Sequence, residues 1–288
     1  MSHRSPQGSP PIRIRKKSLH SRRSAPSKRN PAQRKQPRNS LKSHPELIIF
    51  DIDGVLVDVH GSFHRTVIDT VRFFTGKRVT RHELYHWKNR SGFNDDWTLS
   101  TAWVQSLGGK AEYPEVKAKF EELYWGTNGR GNVAREKWLL SRGVLTRLAK
   151  RSQLALFTGR VRKETTHTLD RCGVGAYFVE VVTVEDVEHP KPHAEGLFKI
   201  LKGRDPSTAV YIGDNVDDAR AARSAGVPFV AVMSLSRNSA AGRARAAAFK
   251  ELGAIAILRD IRELESWLKR ATSGPTRSPR RPLVGQQA

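Results

Sequence analysis

Short apolar, β-branched runs recur along the chain, and amphipathic stretches separate most of them. Residues 47–52, 153–158, 178–183, 209–213 and 228–233 read as strands, while 163–173, 194–202, 217–226 and 240–252 carry helical spacing. Strands that alternate with helices imply βα units, and so an α/β fold built on a doubly wound parallel sheet with 47–52 as its central member. Residues 60–132 break that alternation. Val67, Ile68, Val71 and Phe74 share one helical face, Val116, Phe120, Leu123 and Tyr124 share another, and 95–107 has further helical character. An all-helical insert between the first strand and the next βα unit is predicted, in a position that suits a lid. Trp87, Trp97, Trp103 and Trp125 fall in it, and packing of a small helical body accounts for most of them.

The formal charge of +23 suggests a nucleic-acid partner until it is located along the chain. Residues 1–45 hold 13 Lys or Arg and no acid, residues 269–288 hold 5 and none, and the stretch between them carries a net charge of only +5. Both ends are rich in Pro, Ser and Arg, a composition that cannot bury enough apolar surface to offset chain entropy, so two disordered basic tails are predicted. Pro10, Pro11, Pro26, Pro31 and Pro37 break the amphipathic helix that a transit peptide needs, so a solvated tail or an over-extended gene start fits better. No stretch is long and apolar enough to span a membrane. A single cysteine, Cys172, excludes intrachain disulfides and cysteine metal sites, and a cytoplasmic protein is expected. The expected division is a tail over 1–45, a core over 46–59 and 133–268, the helical insert over 60–132 and a second tail over 269–288.

Chemistry concentrates at the ends of the predicted strands. The first runs into Asp51-Ile52-Asp53-Gly54, two carboxylates that could converge on one site only if the backbone turns after Asp51, which Gly54 permits. Such a pair can hold a divalent cation and supply both a nucleophile and an acid/base. The next strand is followed by Thr158-Gly159-Arg160, a hydroxyl and turn at a helix start that can offer Thr Oγ and N–H groups to an anion or simply cap the helix. Lys191 stands between Pro190 and Pro192, its backbone restricted on both sides. After 209–213 come Asp214, Asp217 and Asp218, a density of acids that calls for a cation or the nearby lysine.

The order of these motifs is more specific than any one of them. Asp-x-Asp-Gly, Thr-Gly-Arg, Lys-Pro and Gly-Asp-x-x-x-Asp, each at a strand end across residues 46–235, closely resemble the four motifs of the haloacid dehalogenase superfamily. The chain is most similar to its members with a helical cap after the first motif, phosphoglycolate phosphatases and β-phosphoglucomutases among them. That resemblance implies a Rossmann-like core and an aspartyl-phosphate mechanism: Asp51 as nucleophile, Asp53 as acid/base, and Thr158 and Lys191 holding the phosphoryl oxygens. It also implies Mg²⁺ held by Asp51, the Asp53 carbonyl and Asp214, with Asp218 in support. Gly159 and Arg160 are expected beside the phosphate.

An acid at position 53 suits a phosphomonoester leaving group that needs a proton, and true haloacid dehalogenases lack it. The expected reaction is Mg²⁺-dependent hydrolysis of a small anionic phosphorylated metabolite, phosphoglycolate-like or a sugar phosphate, with a mutase as the alternative. Lys88, Arg90 and Asn94, in a loop of mixed charge within the insert, are candidate substrate selectors, though Asn94 or Asp95 could equally cap a helix. A rival reading makes the protein a nucleic-acid binder through its tails. Their charge supports only non-specific phosphate contact, because no aromatic residue interleaves the basic positions of 1–45. The particular ester and the oligomeric state stay open.

Overall fold

The computed structural model describes residues 41, 43–88, 90, 93, 95–233 and 238–272. Most of both expected tails lies outside them. Leu41, inside the stretch expected as tail, is buried against the core, and the last helix runs through Lys269 to Thr272.

Six parallel strands form the central sheet. They are β1 (Leu47–Phe50), β4 (Gln153–Phe157), β5 (Phe178–Val182), β6 (Ala209–Gly213), β7 (Phe229–Val232) and β8 (Ala256–Leu258), arranged β5-β4-β1-β6-β7-β8. β1 pairs in parallel with both β4 and β6, so Phe50, Leu156 and Ile212 come level where Asp51 leaves the sheet. Alternate side chains sort to two cores: Ile48, Phe50, Leu154, Leu156, Val210 and Ile212 pack on one face, and Leu47, Ile49, Ala155, Phe157, Ala209 and Tyr211 on the other. Burial on both faces is why these strands are nearly continuous apolar runs. Between β4 and β8 lie the helices α6 (Arg162–Cys172), α7 (Glu195–Leu201), α8 (Val216–Ala225) and α9 (Ala240–Glu251).

The interruption of the sheet is helical. α1 (Phe63–Thr75), α2 (Arg81–Lys88), α3 (Asp96–Ser106) and α4 (Tyr113–Trp125) make the insert, with Val67, Val71, Leu84, Leu99, Trp103, Val104, Phe120 and Tyr124 in its core. Asp95 caps α3 by accepting from the Trp97 and Thr98 amides, and Glu112 with Glu115 forms a capping box on α4. The chain enters and leaves the insert through an antiparallel pair, β2 (Val57–Asp58) and β3 (Lys137–Trp138), too short for any periodicity to reveal. Also unforeseen were α5 (Arg142–Ala149), capped by Ser141, and α10 (Leu264–Thr272). Among the described residues no helix is long and apolar enough to cross a membrane.

Gly196 on α7 tests how tightly the second core is closed. A Cβ there would meet the Phe157 ring at 2.1 Å. Alanine ordinarily gains about 1 kcal/mol over glycine in a helix, whereas overpacking costs roughly 1–3 kcal/mol. Gly196→Ala is therefore expected to be destabilising, by up to about 2 kcal/mol in denaturant unfolding. A stabilised variant would show that the Phe157 ring yields freely.

Candidate active site

Asp51 follows β1 directly and is buried, with 9% of its side chain exposed. Lys191 Nζ donates to Asp51 Oδ1 at 3.0 Å and lies 2.7 Å from Asp218 Oδ1. The ammonium also stands over the Phe157 ring, 4.7 Å from its centroid. Burial pushes Lys191 down, but Asp218 and Asp51 outweigh it and hold the ammonium above its ordinary range. Asp218 also accepts from Tyr211 Oη at 2.7 Å and from the Asn215 amide at 3.0 Å.

Carboxylate oxygens of Asp51, Asp214 and Asp218 lie within 4.8 Å of one another. Burial, with repulsion from Asp218, Asp53 and Asp214 against the pull of Lys191, raises Asp51 well above the usual carboxylate range. Burial and the Asp218 charge, opposed by Arg245, push Asp214 up to about 6. Gly54 adopts φ +73°, and a Cβ on it would fall 2.2 Å from Asp214 Oδ2, so the turn after Asp51 packs directly on that carboxylate. Clustered oxygen donors carrying more negative charge than one lysine neutralises fit a hard divalent cation.

Asp53 points elsewhere. Its Oδ1 accepts from Arg160 Nε at 2.8 Å and Nη2 at 2.5 Å. Arg160, expected at the phosphate, is 2% exposed, and its guanidinium is taken up by Asp53, by Glu136 Oε1 at 2.8 Å and by Thr168 Oγ1 at 2.7 Å. Glu136, between insert and β3, is itself buried and also accepts from Tyr124 Oη at 3.0 Å. Arg160 thus fixes the Asp53 carboxylate and has no donor directed at a ligand. Thr158 is buried, its Oγ1 accepting from the Arg160 amide at 3.1 Å.

One cavity of about 420 Å³ joins these groups to the insert, lined among others by Asp51, Asp53, Gly159, Lys191, Asp214 and Lys88. Lys88 is bound to Asp96 at 2.8 Å. Arg90 is not among the lining residues and instead stacks on Trp87 at 4.7 Å, while Asn94 lies outside the described residues. Of the four tryptophans of the insert, Trp97 alone lines the cavity. Burial pushes Glu164, another lining residue, up to about 8. Glu136, Glu164, Arg245, Tyr211, His60, His64 and Tyr85 escaped the sequence reading; none belongs to a motif, and Tyr211 lay hidden within an apolar run.

A model of the haloacid dehalogenase-like hydrolase family matches residues 45–226, most of the chain and every strand-end motif. The chain is a haloacid dehalogenase-like hydrolase. Among curated proteins it is 35% identical over 195 residues to an imidazoleglycerol-phosphate dehydratase of Phytophthora nicotianae, covering 65% of this chain but only 43% of that protein. It is 27% identical over 188 residues to the pyrophosphatase PpaX of Bacillus velezensis, covering 62% of this chain and 79% of that one. A crystal structure from Haemophilus somnus, described as a predicted phosphoglycolate phosphatase, superposes with a TM-score of 0.62 at 19% identity over 78% of this chain and 98% of the other. At that identity the superposition speaks for the shared fold of this hydrolase family.

Glu136 offers a test of the buried network. Its removal leaves the Arg160 guanidinium, Thr168 Oγ1 and Tyr124 Oη without their shared acceptor, and each buried polar group left unsatisfied typically costs about 1–3 kcal/mol. Glu136→Ala is expected to lose about 3 kcal/mol in denaturant unfolding, whereas Arg90→Ala, on an exposed side chain, should stay within about 0.5 kcal/mol of the parent. Equal losses would mean that Glu136 is not the anchor of Arg160.

Proposed function

We propose that the chain is a Mg²⁺-dependent phosphomonoester hydrolase that acts on a small metabolite through an aspartyl-phosphate. The observation that carries this reading is Asp51, seated at the end of the central strand, 3.0 Å from a buried lysine and within 4.8 Å of Asp214. An Asp51 oxygen attacks phosphorus. Asp53, held by Arg160 and 36% exposed, gives its proton to the departing alkoxide and then takes one from the water that cleaves the acyl phosphate. Lys191 and the Thr158 hydroxyl hold phosphoryl oxygens, and Asp218 keeps Lys191 in place. Mg²⁺, held by Asp51, the Asp53 carbonyl and Asp214, would supply charge neutralisation at the phosphoryl group.

The cavity supports a small substrate, because insert and core both line its 420 Å³. Excluding bulk water there strengthens each electrostatic contact on the phosphoryl group. Phosphatase and pyrophosphatase names among the relatives support hydrolysis at phosphorus, of a phosphomonoester in one case and a phosphoanhydride in the other. Arg160 is assigned to Asp53 here and not to the phosphate.

Asp51→Asn is expected to reduce phosphate release by more than a hundredfold with the fold intact, since an amide neither attacks phosphorus nor ligates a hard cation well. Turnover above about a hundredth of the parent would remove Asp51 as nucleophile.

The raised carboxyls give a second test. A carboxyl at about 6 in the folded protein and 3.8 as its ordinary value stays protonated to higher pH when folded. Without metal, ionising Asp214 therefore costs stability as pH climbs from about 4 through about 6, the raised Asp51 carboxyl acts in the same direction, and a cation that favours the carboxylates offsets the loss. The rise in Tm on adding saturating Mg²⁺ should grow between about pH 5 and pH 7, read by thermal unfolding against a chelator control. A rise independent of pH would place the ion elsewhere.

A further inference from the structure

Outside the cavity, two histidines and a glutamate gather around the turn that carries Lys191. Pro190 and Pro192 fix φ on either side of the lysine, and the His193 amide donates to the Pro190 carbonyl at 3.0 Å, which closes the turn. His189, just before it, is thereby set beside His193, with ring centroids 4.8 Å apart. Glu195, the first residue of α7, completes the group. One nitrogen or oxygen atom from each of the three residues lies within 4.8 Å of the other two. Both imidazoles are exposed, and none of the three residues lines the active-site cavity.

The Glu195 carboxylate divides its partners between its oxygens. Oε1 accepts from the Glu188 amide at 3.1 Å and stands 2.8 Å from Lys199 Nζ, while Oε2 accepts from the His189 amide at 2.9 Å and lies 3.2 Å from His189 Nδ1. Lys199, with the His189 and Glu188 amides, pulls the carboxyl down to about 2, so it stays ionised at neutral pH. These contacts account for Glu195 as an anchor of the loop. They leave the imidazoles with spare capacity: His193 Nδ1 accepts from the Glu195 amide at 3.2 Å, and Nε2 of neither ring has a hydrogen-bond partner among the described residues.

Two imidazoles and one carboxylate suit a borderline cation of the transition series, whereas the all-oxygen set of Asp51 and Asp214 suits Mg²⁺. We propose a second metal site, in which His189, His193 and Glu195 hold a divalent cation of the Zn²⁺ type. Ligands at zinc distances stand about 3.3 Å from one another, so the trio has to draw in by about 1.5 Å, within reach of side-chain rotation at two exposed rings. The two prolines leave little backbone freedom to lose on binding. Lys199 opposes a cation by its charge, but it occupies Oε1 and leaves Oε2 to ligate, and ligating carboxylates ordinarily keep such an outer hydrogen bond. An ion there ties α7 to both ends of the turn and braces the segment that presents Lys191 to Asp51, without entering the cavity.

Equilibrium dialysis of the full-length protein against Zn²⁺ at saturating Mg²⁺ counts the bound ions. The double variant His189→Ala, His193→Ala loses two exposed side chains and should bind one ion fewer than the parent. Either substitution alone should weaken that ion by at least about tenfold, the low end of the cost of removing even an outer partner of a metal. Zn²⁺ should raise Tm in the parent and raise it less in the double variant, while Tm without Zn²⁺ stays the same in both. Ca²⁺, which takes oxygen ligands, should not compete for this ion. Equal numbers of ions bound with equal affinity by parent and double variant would place Zn²⁺ elsewhere and overturn the inference, as would a parent that binds none.

Discussion

A lysine with 3% of its side chain exposed must be neutralised where it stands, and at Lys191 two carboxylates do so at 3.0 and 2.7 Å. Desolvating three charges costs several kcal/mol apiece, and mutual attraction recovers it only when geometry is good and the remaining lone pairs are satisfied. Here Tyr211 and the Asn215 amide complete Asp218, and Phe157 lends its ring face to the ammonium. Three strands are thereby tied together at one end of the sheet. Asp51 follows β1, Tyr211 lies in β6 and Phe157 ends β4. The sheet brings these groups close, and the ion cluster in turn fixes which oxygen of Asp51 remains available on the cavity side.

A second buried cation gives the second acid surroundings of its own. Arg160 takes Asp53 away from the Asp51–Asp214 cluster and binds it to Glu136, just before the strand by which the insert returns. Two carboxylates only two residues apart thus acquire opposite environments: Asp51 faces a lysine and other acids, Asp53 a guanidinium. The same link ties the orientation of the second acid to the base of the insert, so a displacement at β3 reaches Asp53 through Glu136 and Arg160 without passing through the sheet.

Strand-end groups were legible in the sequence because the fold itself puts them together. Asp51, Lys191 and Asp214 each follow a strand, and parallel strands deliver their carboxyl ends to one edge, so order along the chain sufficed to foresee proximity. Side chains whose partners come from across the fold were not legible. Arg160 read as a phosphate ligand because its neighbours Thr158 and Gly159 suggest an anion site, whereas its buried partner Glu136 stands beyond α5 and β4 in a stretch without periodicity. Tyr211 passed for one more apolar residue of β6, and Arg90 for a selector, although it stacks outward on Trp87.

The lid side of the cavity shows why charge counting from sequence misleads. Lys88 beside Arg90 suggests a cationic subsite, yet Asp96, the first residue of α3, neutralises Lys88 in the fold. The same wall carries a chain of contacts made by a carboxylate two residues before a histidine and a tyrosine far along the chain. Spacing can suggest the Asp58–His60 contact, but the approach of Tyr85 Oη to the other ring nitrogen, at 2.8 Å, follows only from the fold. Contacts of that kind are a tertiary property: neither the pairing of Lys88 with Asp96 nor that of His60 with Tyr85 can be read from residue type and spacing, because each joins segments that only the packed insert brings together.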